Sequence, residues 1–316
     1  VASLLHRQQC RRMDIPGSDH AGAGQHAVIC CWCHGRVFGK TLYRNQRPTF
    51  VYYSRDSLIS GQGDQNGAQK GDIELSDNIN PDKDQLVRAE FDLLADEYHD
   101  QHKENVAITG ENPEFFSEYK IADLAALVAD QKLPSASVFD FGSGIGNSLP
   151  FFRKYFPDST ITCGDVSSRS IEIAKIRFPG DERYVQIENT IPLPTHSQDI
   201  VFTACVFHHI PHEDHDHWLK ELLRITKPGG ILTIYEHNPL NPLTVKAVNT
   251  CPLDVNAKLI LGRTMAKRAT AGGWAKPSVD YKLFFPAFLS YLRPLERKLN
   301  WLALGAQYRM SARAPE

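Results

Sequence analysis

The sequence has no long apolar run, and none approaches the roughly 18 residues that a membrane-spanning helix needs. Its first residues, VASLLHRQQCRRMD, hold too short an apolar stretch for a secretory leader, so a cytoplasmic location is expected. Neither sign of charge is in excess: 35 Lys and Arg face 37 Asp and Glu, a formal net charge of −2. That balance excludes a polycation built for nucleic acid. Seven cysteines among 316 residues are too few for a disulfide framework. Those beyond residue 100 (Cys163, Cys205 and Cys251) sit in apolar, strand-like or loop surroundings and are expected to be reduced, partly buried thiols. No internal repeat is present. What the chain does have is a 42% hydrophobic content, enough for one large domain or two small ones.

Residues 1–84 show no sustained period of 3.6 or 2 and include the polar, Gly-rich run SLISGQGDQNGAQKGDIELSDNINPDKD. Such a segment buries too little apolar surface to offset its ordering entropy, so a disordered extension is expected, with a weak strand near 49–53 (TFVYY). The cluster Cys30, Cys31, Cys33 and His34 resembles half of a zinc site, but no second knuckle follows, and an unstructured tail is the better reading.

From residue 85 the pattern becomes periodic. Helical stripes run over 86–98 (Leu86, Val87, Phe91, Leu94, Tyr98) and 115–131 (Phe115, Tyr119, Ile121, Leu124, Leu127, Val128), the second stopping before Pro134. Strands are predicted at 137–142, 160–166, 183–189, 199–207 and 230–237, and helices at 146–156, 168–178 and 211–226. Pro211 is expected in the first turn of the last of these. A KPGG turn leads into the fifth strand, and 279–286 and 306–314 form a terminal strand pair. A helix is expected to begin at Pro294. Short strands alternating with helices of 10–15 residues mean βαβ units, a parallel sheet and a doubly wound α/β domain over 85–316.

The turn VFDFGSGIGNS, with Asp140, Gly142, Ser143, Gly144 and Gly146, falls between a strand and a helix. Glycines there let the backbone pass close to a ligand and leave amide groups free at the helix start. Asp165 ends the next strand, where a carboxylate can accept hydrogen bonds from both ribose hydroxyls of an adenosine. Its bland alternative is a cap for the helix that begins near Ser168.

With these residues in hand, the sequence resembles the class I S-adenosylmethionine-dependent methyltransferases over roughly 86–316. DFGSGIGNS and GDVS look like the first two motifs of that family. IPLPTHSQDIVFTACVFHHIP looks like the third and fourth, and LLRITKPGGILTIYEHNP like the KPGG turn and fifth strand. The tail (NTCPLD, FFPAFLSYLRPLE, LGAQY) is similar to a bacterial branch labelled methyltransferase type 11 or 12. The resemblance implies a Rossmann-like sheet of order 3-2-1-4-5-7-6 with the last strand antiparallel. It also implies S-adenosyl-L-methionine as cofactor, with Asp140, Gly142, Ser143, Gly144 and Gly146 around the methionine and sulfonium part. Asp165 would hold the ribose and Val166 would pack on the adenine. The acidic residue that often reads the adenine amino group has no clear counterpart, so Glu188 or Asn189 fills that role, or backbone groups do.

Phe207, His208 and His209 leave the fourth strand, and Glu236, His237 and Asn238 the fifth, at the edge where such folds bind ligands. His208, His209 and Glu236 are the candidate catalytic residues, a near-neutral histidine taking a proton from the acceptor and the carboxylate orienting it. A histidine that merely braces a backbone carbonyl is the competing reading. HHIPHEDHDH holds five histidines in ten residues, yet His215 and His217 point apart on a helix, so a solvated first turn is expected and no metal. Nine Lys or Arg between Lys258 and Lys298, against Asp280 and Glu296, would either receive an anionic substrate or form an ordinary surface. LFFPAFLSYL is apolar enough to line a lid or touch a lipid tail, with packing on the sheet as the default expectation. The acceptor is read as a small molecule, since the Asn/Asp-Pro-Pro-Tyr signature of base methylation is absent. A non-catalytic cofactor-binding scaffold and, further off, a nicotinamide oxidoreductase are the alternatives.

Overall fold

The computed structural model describes residues 110–316 apart from 252, 253 and 255. The extension 1–84, its strand near 49–53, the cluster at 30–34 and the helix over 86–98 lie outside the described residues.

The elements, in chain order, are α1 (Pro113–Asp130), β1 (Ser137–Phe141), α2 (Leu149–Tyr155), β2 (Thr160–Asp165), α3 (Ser168–Arg177), β3 (Arg183–Gln186) and β4 (Gln198–Ala204). Next come α4 (His215–Ile225), β5 (Thr226–His237), α5 (Pro242–Thr250), α6 (Gly262–Ala271) and β6 (Ala275–Lys282). A 3-10 stretch (Ala287–Leu295), the short α7 (Glu296–Leu299) and β7 (Gln307–Arg313) complete the chain. The strands form one sheet of order β3-β2-β1-β4-β5-β7-β6. β7 pairs antiparallel with both β5 and β6, and β1 to β5 pair parallel, so the expected Rossmann-like topology is present.

Strand alternation sorts the core onto two faces. Phe139, Phe141, Val201, Leu232 and Ile234 face α4 and α6 and pack with Leu219, Leu222, Met265 and Trp274. Val138, Ile161, Ile200, Phe202 and Tyr235 turn the other way, onto Ile121 and Leu124 of α1 and Leu149 and Phe152 of α2. The central strands β1 and β4 are buried on both sides, which is why they read as largely apolar runs. Among the described residues no helix is long and apolar enough to cross a membrane.

Several boundaries differ from the sequence reading. α4 starts at His215 rather than in the Pro211 turn: Asp214 N–H closes a tight turn on the Pro211 carbonyl, and the His215 side chain is drawn into the core. KPGG belongs to β5: Gly229 adopts φ +74°, the β4–β5 register shifts between Gln198 and Ile200, and β5 pairs on through Ala314. β6 runs over Ala275–Lys282 rather than 279–286, because Trp274 anchors its start by donating to the Leu219 carbonyl at 2.9 Å. Pro277 is tolerated there because β6 is an edge strand. Pro294 lies inside the 3-10 stretch and starts no helix. Helices α5 and α6 were not foreseen. Within LFFPAFLSYL, Leu283, Phe284, Phe285, Leu289 and Leu292 are half-buried, whereas Phe288 and Tyr291 are largely exposed.

Candidate active site

The glycine loop between β1 and α2 is shaped by contacts that a side chain would spoil. Gly142 sits at φ +76°, and a Cβ there would overlap Val206. The amides of Gly142 and Ser143 both donate to the Gly164 carbonyl, at 2.8 and 3.0 Å, which ties the loop to β2. Gly146, at φ +81°, sits tightly against Ala174, Leu149 and Phe178. Gly144, at φ +52°, has open space where a side chain would be. Beside it the Ser143 hydroxyl is buried without a hydrogen-bond partner among the described residues.

Asp165, at the end of β2, accepts from the Gly144 amide at 2.7 Å and from the Ser167 amide at 2.9 Å. It therefore fixes the loop, while the cap of α3 is Ser167, whose hydroxyl accepts from Ser170 N–H at 3.0 Å. Asp140 is buried in β1, and burial, reinforced by Asp165 and opposed by Lys120, pushes its carboxyl up to about 8. Val166 is half-buried against the apolar cluster, and Glu188 and Asn189 lie exposed after β3, where His217 donates to the Asn189 carbonyl at 2.8 Å. An open cradle at Gly144, an unpartnered hydroxyl at Ser143 and two acids suit the amino-acid and ribose ends of S-adenosylmethionine.

The exits of β4 and β5 build the second half. Glu236 is buried, and its Oε1 accepts from the amides of Val206 at 3.1 Å and Phe207 at 2.8 Å. Its Oε2 lies 2.5 Å from Nδ1 of His208, which is 1% exposed. On the far side of that ring, Oδ1 of Asp254 is 3.4 Å from His208 Nε2 and 3.5 Å from His209 Nε2. Burial disfavours the His208 charge, but Glu236 and Asp254 outweigh it and raise this histidine to about 10. His209 is driven by burial, and then by the neighbouring His208, down to about 3. These opposite directions differ from the near-neutral histidine expected from the sequence: Glu236 and Asp254 favour the charge on His208, while burial and that charge disfavour one on His209.

The carbonyl-bracing role weighed for His208 and His209 falls instead to His215, whose Nε2 reaches the Phe207 and Ile210 carbonyls at 3.0 and 3.1 Å while Arg268 donates to Nδ1 at 2.6 Å. The expected solvated first turn is thus corrected at His215. Arg268, Lys282 and Arg293 of the basic segment are held by His215, Asp123 and Glu111, so these three form no open anion platform.

Sequence reasoning missed Asp254, which no local pattern connects to the histidines. It also took Cys205 for an ordinary packed thiol. Cys205 caps β4 at φ +59°, with Lys120 Nζ at 3.9 Å and Gln307 Nε2 at 4.0 Å from its sulfur. Burial raises the thiol, but Lys120 and His237 prevail and lower it to about 7. The paired signal, a cysteine at a strand exit facing a lysine on α1, exists only in three dimensions.

Comparison with known proteins agrees with this geometry. Residues 139–234 match the family described as Methyltransferase domain. Trans-aconitate 2-methyltransferase of Rhizobium meliloti (strain 1021) is 29% identical over 148 residues, 46% of this chain and 56% of that protein. The ubiquinone/menaquinone biosynthesis C-methyltransferase UbiE of Ectopseudomonas mendocina (strain ymp) is 26% identical over 125 residues, 37% of this chain and 48% of that one. The chain thus spans about half the length of these curated relatives. In fold it is similar to a SAM-dependent methyltransferase from Thermotoga maritima, described as a possible histamine N-methyltransferase. The TM-score is 0.51 at 17% identity, covering 72% of this chain and 99% of that one. The glycine loop, the strand order and the matched family together identify residues 139–234 as a methyltransferase domain, on a sheet of the class I S-adenosylmethionine-dependent kind.

Proposed function

We propose that the chain transfers the methyl group of S-adenosylmethionine to an oxygen or nitrogen of a small-molecule acceptor, not a nucleic acid, seated over the exits of β4 and β5. One observation carries this reading. The cradle of β1 and β2 abuts the polar β4–β5 exits directly, at the contact between Gly142 and Val206. Donor and acceptor would then lie side by side.

When bound, S-adenosylmethionine supplies an intrinsically reactive sulfonium methyl group. The chain's own part is alignment, which can account for on the order of 7–11 kcal/mol of a barrier in favourable cases. Gly142, Ser143, Gly144, Gly146 and Asp140 would hold the amino-acid end, and Asp165 the ribose. Val166, with Glu188, Asn189 or nearby backbone, would meet the adenine. Glu236 holds His208 in place, and His209, a neutral and partly exposed ring, is the histidine placed to hydrogen-bond the acceptor. A carboxylic acid acceptor agrees with the relatives named for trans-aconitate and needs no strong base.

The test is formation of S-adenosylhomocysteine with a panel of carboxylic acids, trans-aconitate included, and of amines. Turnover with one class and not the other is expected. With the accepted compound, His209→Ala should lower turnover by about 10²-fold or more with cofactor affinity nearly constant. A loss of cofactor affinity instead would put His209 on the donor side.

A further inference from the structure

The residues that meet at the exits of β4 and β5 have a second capability. His208 Nε2 is fully buried and has no hydrogen-bond partner among the described residues, although Asp254 Oδ1 lies 3.4 Å away. His209 Nε2 is 3.5 Å from the same oxygen, and the three atoms lie within 4.8 Å of one another. Two nitrogens thus stand around one carboxylate oxygen.

We propose that His208, His209 and Asp254 form a binding site for a first-row divalent transition-metal ion. Ligands bound at 2.0–2.1 Å around a tetrahedral centre stand about 3.3–3.4 Å apart, close to the two separations from Asp254. The support behind the ligands is also that of a metal site. A ligating histidine usually gives its other ring N–H to a carboxylate, which fixes the tautomer and aims the free nitrogen. Glu236 does this for His208 at 2.5 Å, and is itself held by the Val206 and Phe207 amides. Imidazole nitrogens with one carboxylate favour zinc, iron(II), cobalt or manganese over magnesium or calcium. Three protein ligands leave a coordination position open, as in catalytic rather than structural sites. His209 is 19% exposed, so the site has access to solvent. Metal binding itself does not depend on methyl transfer. What would complete the coordination does rest on the proposed function: an acceptor with a carboxylate or hydroxyl oxygen, held beside the donor.

The rival arrangement is metal-free, with a protonated His208 clamped between Glu236 and Asp254 to anchor the loop after α5. Calorimetric titration of the full chain with Co²⁺, and separately with Zn²⁺, distinguishes the two without any acceptor. The clustered cysteines at 30–34 offer a second place for either ion, so the decisive quantity is the difference between chains. One equivalent should disappear in Asp254→Asn, a loop substitution that leaves the cores intact, and again in His209→Gln. Glu236→Gln should keep that equivalent with 10–100-fold weaker affinity. Cofactor binding by Asp254→Asn, measured in parallel, reports whether the methyltransferase reading stands independently. If wild type and Asp254→Asn bind the same number of ions with the same affinity, the metal site is overturned and the clamp remains.

Discussion

Gly142 and Gly144 lie two residues apart in one loop, and alanine should affect them differently. At Gly142 a methyl group meets both a positive φ and the side chain of Val206. Strain of about 1–2 kcal/mol and overpacking of about 1–3 kcal/mol should together lower stability by roughly 2–5 kcal/mol. At Gly144 the space is open, so only the backbone strain of about 1–2 kcal/mol applies. The added methyl would stand in the proposed cradle, so Gly144→Ala should weaken cofactor binding well beyond its effect on folding. Urea denaturation with calorimetry on both variants checks this. If Gly144→Ala binds S-adenosylmethionine normally, the cofactor does not approach that face of the loop. Asp140 and Asp165 show the same economy of position: both are recognisable in sequence, but only the structure shows Asp165 holding the loop through Gly144.

At the level of elements, α1 is fastened to the far end of the sheet by an ion cluster. Asp123 pairs with Lys282 of β6 at 2.8 Å and with Arg309 of β7 at 2.7 Å, and Tyr235 of β5 donates to it at 2.9 Å. Arg309 also pairs with Asp280. Burial alone would raise Asp123, but Arg309 and Lys282 outweigh it, and its pKa is lowered. A carboxylate depressed on folding contributes stability above its unfolded value, and that contribution is lost as pH falls through the folded value. Asp123→Asn should therefore destabilise the protein at pH 7, on the order of 3 kcal/mol, because it leaves Arg309 short of a partner. The gap between variant and wild type should close as the pH falls below about 4, the ordinary carboxylate value. Denaturation curves at pH 7 and at successively lower pH measure that gap, and a constant gap would mean that Asp123 acts through packing.

The same elements show what could be read beforehand. β1, β2, β4 and β5 were legible because strands buried on both faces must be apolar throughout, and the glycine loop because its backbone conformation needs glycine. α6 was not, since GRTMAKRATA buries only Gly262, Met265 and Ala269 and leaves a weak stripe. Nor was the meeting of His208 with Asp254, which depends on the path of the chain after α5. The histidine and glutamate exits could be placed from sequence, while their unequal protonation depends on which carboxylate faces which ring.

At the scale of the whole molecule, the periodic pattern that begins at residue 85 carries a prediction. Removing residues 1–84 should leave folding and cofactor affinity unchanged, as judged by thermal unfolding and calorimetry. A truncated chain that unfolds or stops binding would make the extension part of the domain. The central claim, that the loop after β1 and the acid after β2 hold S-adenosylmethionine, is tested most directly by calorimetry on the full chain and on Asp165→Ala. The account predicts one S-adenosylmethionine bound per wild-type chain, displaced by S-adenosylhomocysteine and not by NAD. In the folded variant, affinity should fall by about 1.5–3 kcal/mol, the loss of two hydrogen bonds to a charged acceptor. Undiminished affinity in folded Asp165→Ala, or displacement by NAD, would contradict it.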